Sequence, residues 1–298
     1  MPSRPITVAI VLFWLAAVGW VGYRDVWPRL AASGPPPIAV DLGDEASQLV
    51  PVRWQVYRGD QKVGRLTTRM TYLDADDTFR LTHQYANLTF DVGRVRAVFP
   101  EVTLTTRITR GGALREQGMK GNMVVQLQVG DGFTEIAAAK AAVDGEVRDG
   151  VFRGRCDLDA PVLNLKVKRD LDPVPVPDGQ ALTPMQPVSR VANVRGGQRW
   201  LVHEINPMRD AMSSLMKGFV GQQGFGLPEE KREAFVATVG DRPEGLAWGK
   251  DRAEVPCWVI EYRGGDARVR TWVRTDDGRV LRQEATREGE LIALERDE

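Results

Sequence analysis

The sequence predicts a mainly β fold, an antiparallel sheet with one packed amphipathic helix, preceded by an N-terminal transmembrane helix. Three features point there. Apolar and polar residues alternate with period two over long stretches of residues 102–167. Turn-forming Gly and Asp residues recur at short intervals between those stretches, with no helical pattern separating them. Residues 6–23, ITVAIVLFWLAAVGWVGY, hold no charged side chain.

Residues 1–27 read as the membrane anchor. The uncharged run Ile6–Tyr23 rises about 27 Å as a helix, close to the roughly 30 Å hydrocarbon core of a bilayer. A helix also satisfies its own backbone there. Tyr23 and Trp27 stand near its end, where amphipathic rings favour the interface. A cleaved signal peptide is the competing reading. Its small-residue sites are Ala17-Val18-Gly19, followed directly by Trp20, and Ala31-Ala32-Ser33, which lies beyond Arg24, Trp27 and Pro28. A buried core helix is the third. No Cys stands near the N-terminus, which excludes a bacterial lipoprotein. Arg4 on one side and Arg24 and Arg29 on the other give little charge bias. The short tail and long body favour a single-pass signal anchor in the inner membrane, with the body in the periplasm.

Residues 28–49 form a spacer, stiffened by Pro35-Pro36-Pro37. The β-rich extracytoplasmic body is expected over residues 50–298. Val102, Leu104, Thr106 and Ile108 form one face of a strand, Met123, Val125, Leu127 and Val129 a second, and Leu163, Leu165 and Val167 a third. Turns fall at Arg58-Gly59-Asp60, Asp74–Asp77, Gly111-Gly112, Gly130-Asp131-Gly132 and Asp149-Gly150. Phe133–Val143, FTEIAAAKAAV, has alanines that favour helix, but its strand neighbours decide for strand. Prolines 173, 175, 177, 184 and 187 make residues 171–187 irregular. They read as a loop within one domain, because the second half shows too few strands for a sheet of its own.

Asn206-Pro207 gives a helix N-cap and a first-turn proline. Met208, Met212, Leu215, Met216 and Phe219 then share one face. That face either packs on the sheet or lines a cavity for an apolar ligand. Beyond Ala234, strands are expected at Cys257–Tyr262, Val269–Thr275 and Arg279–Ala285, joined by turns at Arg263–Asp266 and Asp276–Gly278.

Forty basic and forty acidic residues cancel, so no basic excess points to nucleic acid. Cys156 and Cys257 are the two cysteines. A disulfide between them is compatible with an oxidising compartment, and two unpaired buried thiols are the alternative.

The chemistry-bearing residues are sparse. Cys156, His203 and Asp210 stand in the order of a thiol–imidazole–carboxylate site. However, Cys156 sits in strand or loop text, and Asp210 follows His203 closely. His83 alternates with Phe79, Leu81 and Tyr85 and reads as a core histidine. Asp74, Asp76 and Asp77 lack the glycine and twelfth-position glutamate of a calcium loop and read as a solvated turn. No Walker loop or dinucleotide fingerprint is present, since Gly221–Gly226 follows a helix rather than a strand. No cofactor or metal is expected.

Two stretches carry a resemblance. Trp54-Gln55-Val56-Tyr57-Arg58-Gly59-Asp60-Gln61-Lys62-Val63-Gly64 resembles the opening hairpin of β-rich periplasmic domains of unknown function, including those fused to bacterial transglutaminase-like domains. Tyr262-Arg263-Gly264, with Thr271–Glu284, resembles their closing hairpin. An anchor followed by this layout is also similar to uncharacterised planctomycete envelope proteins. The resemblance implies a curved antiparallel sheet of the lipoprotein-carrier type, a half-barrel with a helix in its concavity. Some members of that wider fold carry acyl chains there. It supplies no catalytic residues. The membrane anchor departs from the freely shuttling carriers.

The expected function is therefore a membrane-anchored envelope protein, a non-enzymatic binding or scaffold module with a lipid or an envelope protein as partner. The alternatives are a lipid-binding cavity protein and an enzyme with a cryptic Cys/His site.

Overall fold

A computed structural model of the chain describes residues 13–14, 17–20, 46, 50–176, 186–203, 206–209, 234–265, 267–287 and 289–297. The first meander comprises β1 (Val52–Arg58), β2 (Gln61–Leu73), β3 (Thr78–Val92), β4 (Val95–Thr109), β5 (Leu114–Val129), β6 (Gly132–Arg148), β7 (Val151–Ala160), β8 (Leu165–Asp170) and β9 (Val174–Pro175). The second comprises β10 (Arg199–His203), β11 (Ala234–Val239), β12 (Glu244–Trp248), β13 (Ala253–Gly264), β14 (Ala267–Arg274), β15 (Val280–Arg287) and β16 (Glu290–Arg296).

All of them belong to one sheet, in the order β10-β11-β13-β14-β15-β16-β1-β2-β3-β4-β5-β6-β7-β8. The short strands β12 and β9 prolong its edges along β13 and β7. Every pairing is antiparallel, and β1 lies between β2 and β16. The first and last strands thus join the two meanders.

The turn residues do what their chemistry allows. Asp149 and Gly150 both take positive φ (52° and 70°) between β6 and β7, the mirror-image turn that matches strand twist. Phe133–Val143 is strand, because β5 and β7 hydrogen-bond it from both sides and pairing outweighs alanine's helix preference. The third expected strand starts two residues late. Pro161–Leu163 forms a short 3-10 turn closed by Asn164 at φ 49°, and β8 follows.

The expectation of too few strands in the second half is overturned, since β10–β16 supply seven. β13, β14 and β15 match the expected strands, and the four not expected, β10, β11, β12 and β16, are only five to seven residues long and show little alternation. Ile260 and Tyr262 enter the inner core, while Cys257 and Val259 pack with Trp272 and Leu281 on the other side. The β12–β13 hairpin covers that outer cluster. Trp248 Nε1 donates to the Arg296 carbonyl at 3.1 Å, and Trp272 lies beneath the Arg270 guanidinium, 4.6 Å from its ring centroid.

The sheet curls back on itself. Asn206 hydrogen-bonds Gln117 on β5 at 3.3 Å, and only two residues separate it from the end of β10, a reach of about 10 Å. Along the strand order β10 and β5 are ten steps apart, which in a flat sheet is about 48 Å. The curl gathers Trp200 of β10, Phe235 of β11, Ile260 of β13, Leu294 of β16 and Trp54 of β1 into one buried cluster. Residues 187–191 cross this interior as a strap. The Val191 N–H donates to the Gly278 carbonyl (2.8 Å), the Val280 N–H to the Ser189 carbonyl (2.9 Å), and Arg296 Nη1 to the same Ser189 carbonyl (2.9 Å).

Helix is scarce. Among the described residues α-helix is confined to residues 13–14, 17–20, 46 and 207–209. No helix there is long and apolar enough to cross a membrane. Residues 13–14 and 17–20 are exposed, and the rest of the anchor segment lies outside the described residues. The second expected helix does begin as the sequence suggests. Asn206 Oδ1 accepts the Arg209 N–H at 3.1 Å, an N-cap with Pro207 in the first turn. Residues 210–219 lie outside the described residues.

Trp54 is fully buried and donates from Nε1 to Thr68 Oγ1 at 3.2 Å. Trp54→Ala is expected to cost about 3–5 kcal/mol, read as an earlier guanidinium unfolding midpoint. An unchanged midpoint would place the main core elsewhere.

Candidate functional site

The sequence-selected residues fall in different parts of the fold. Cys156 sits on β7 in an inner cluster with Val143, Phe152, Leu171, Val174 and Met208. Cys257 sits on β13 in the outer cluster. Both thiols are free and buried, and β6, β5, β4, β3, β2, β1, β16, β15 and β14 intervene along the sheet. The disulfide considered above is not formed. Burial pushes both thiols up, Cys257 to about 11 and Cys156 with a further push from Asp157. A reactive cysteine needs the opposite shift. The His203 side chain and Asp210 lie outside the described residues. Both cysteines are expected to resist a water-soluble thiol reagent in the folded chain and to titrate fully in denaturant; a single reactive thiol before unfolding would contradict this placement.

The aspartate turn is pinned by arginines. Tyr72 donates to Asp77 at 2.7 Å, Arg110 pairs with Asp77 at 2.9 Å, and Arg107 contacts Asp76. Among the described residues no group of three or more His, Cys, Asp or Glu side chains is placed to hold a metal ion.

His83 is a buried core residue, as its alternation suggests. It donates to the Pro187 carbonyl on the strap, beside a void of about 20 Å³ lined by Val52, Thr68, Leu81 and Val188. Burial lowers its pKa from 6.5 to about 4. The folded state therefore binds this proton less readily than the unfolded chain. The resulting stability is complete above about pH 6.5 and is lost as pH falls towards 4, by about 3 kcal/mol in all. His83→Gln is expected to flatten the stability profile across that window relative to wild type, and parallel profiles would refute the assignment.

Of the methionine stripe, Met208 is buried against Val143 and Phe152, and its N–H donates to Gln117 Oε1 at 3.3 Å. It acts as core at the root of the helix. Met212, Leu215, Met216 and Phe219 lie outside the described residues.

The surface best suited to binding was not singled out from sequence. Strands β3–β6 run well past the packed core. At that end Leu88 pairs with Phe99, Phe90 with Ala97, Ala97 with Val125, and Val95 with Leu127. Directly paired residues share a face, and Leu88 packs against the main inner cluster, so this is the inner face. Phe90 and Phe99 meet edge-on with centroids 6.0 Å apart. The apolar side chains continue outward into solvent at Val95, Leu127 and Val129. The opposite face carries Arg96, which pairs with Asp91 at 2.7 Å and stacks over Phe133 at 3.8 Å. The available signal was the alternation of residues 123–129, which continues beyond the point where the core ends.

No family model matches the chain, and no curated protein matches it. Among solved structures it is similar to a β-barrel-like protein of Domain of Unknown Function DUF1849 from Brucella abortus. The identity is 12% and the TM-score 0.36, over 84% of this chain and 96% of that one.

Proposed function

We propose that this chain is a membrane-anchored envelope protein whose β body is a binding or scaffold module rather than an enzyme. The observation that carries the reading is the apolar inner face of β3–β6, which leaves the packed core and stays half open to water. Soluble surfaces seldom keep such a face without a partner. The uncharged run Ile6–Tyr23 supports attachment to the inner membrane, with the body on the periplasmic side. The resemblance of the two end hairpins to periplasmic domains of planctomycete-like and transglutaminase-fused proteins supports the same setting.

A second reading rests on the same face. An acyl chain laid along Phe90, Phe99 and Val125 would make the body a lipid-binding protein. Native mass spectrometry of the purified chain separates the two, because co-purified lipid favours the second reading and a bare polypeptide mass the first.

The anchor is tested by alkaline carbonate extraction. The full chain is expected to stay with the membrane pellet, and a chain lacking residues 6–23 to move to the supernatant. Full-length protein in the supernatant would sink the membrane assignment.

A further inference from the structure

The large apolar side chains exposed on the described part of the body are concentrated at one place. Val95, Leu127, Val129 and Ile136 are 39%, 36%, 61% and 46% exposed, and all lie at the outer ends of the β3–β4 and β5–β6 hairpins; only Val50 and Val162 lie elsewhere. Val95 and Leu127 are paired, and Val129 follows two residues on along the same face. Ile136 sits at the β6 bulge beside them.

The charges around this patch select the occupant. On the β3–β4 tip, Arg96 is held by Asp91, leaving Arg94 exposed with no ion pair among the described residues. On the neighbouring β5–β6 turn Asp131 is exposed, also without an ion pair there, whereas Glu135 pairs with Gln126 and lies on the opposite face with Arg96. A cation on one tip and an anion on the next, beside an apolar centre, suit a two-fold contact in which each copy's Arg94 meets the other's Asp131.

We infer that these hairpin tips form a self-association site, and that the partner is a second copy of this chain. The inference rests on the reading of the inner face as a binding surface and names what it binds. Anchoring would place copies in one plane and raise their effective concentration, so a modest patch suffices.

The test uses the full chain in its membranes. Val129→Cys, treated with a bifunctional maleimide, is expected to give a crosslinked dimer. Val162→Cys, equally exposed but elsewhere, is expected to give none, and the two native thiols are buried. Arg94→Glu is expected to lower the dimer yield by about tenfold, and adding Asp131→Arg to restore it. No crosslink at Val129→Cys, or a yield indifferent to the charge reversals, overturns the proposal. Binding of the chain lacking residues 6–23 to phosphatidylcholine vesicles, abolished by Val129→Asp without any dimer, also overturns it by making lipid the occupant. That last result would leave the binding face standing, whereas failure of carbonate retention removes the anchor and leaves the dimer test intact.

Discussion

A single-layer sheet with one apolar face has no second layer to cover it, and this molecule meets that constraint by curling the sheet until the face covers itself. Trp200 on the edge strand β10 and Trp54 on β1, six strand steps away, end up in the same buried cluster. The curl needs places where the sheet can bend. Gly64 is one: a Cβ there would lie 2.7 Å from Leu88 Cδ2, so a side chain would push β2 away from β3. Gly145 is another, since the Phe152 ring occupies the space its side chain would take, 2.3 Å from the nearest ring atom. Bulges between Val98 and Val102 and between Val125 and Gln126 add curvature in the long strands.

The two sides of the sheet are built to different rules. Over β4–β8 the outer side is a lattice of opposite charges on neighbouring strands: Arg107 with Glu116 at 2.5 Å, Arg155 with Asp170 at 2.9 Å, and Lys168 with Asp157 at 2.9 Å. Exposed pairs of this kind add little stability. Their effect is to keep that side in water and fix which side turns inward, because a one-residue slip would exchange the two. At the edge, Lys166 and Lys168 of β8 also discourage the pairing of another strand.

Legibility followed coverage and strand length. Where one face met water, as in Val102–Ile108 or Met123–Val129, alternation revealed the strand and its direction. Cys257–Tyr262 was legible as well, but β10, β11, β12 and β16, of five to seven residues each, are too short to show a clear alternation, and the strand count suffered. Asn206-Pro207 revealed a helix start because capping is local chemistry. His83 was readable as core from its alternating neighbours, but its hydrogen bond to Pro187 was not, since that contact spans the strap. The separation of Cys156 from Cys257 depends on strand order, which no local pattern encodes. The half-open face at the end of β3–β6 escaped notice because sequence shows that a face is apolar and only packing shows where its cover stops.

The union of β1 with β16 has a consequence for how the chain comes off the ribosome. Trp54 faces Arg296 across that ladder, and Gln55 Nε2 reaches Asp297 Oδ1 at 2.5 Å, a pair 242 positions apart. One side of β1 therefore stays unzipped until β16, some 242 positions further on, has been made. The nascent protein must hold its first meander, with an unsealed greasy interior, through that whole interval. Strand β16 acts as a late stitch in the fabric, and a chain lacking that one strand would leave the seam open.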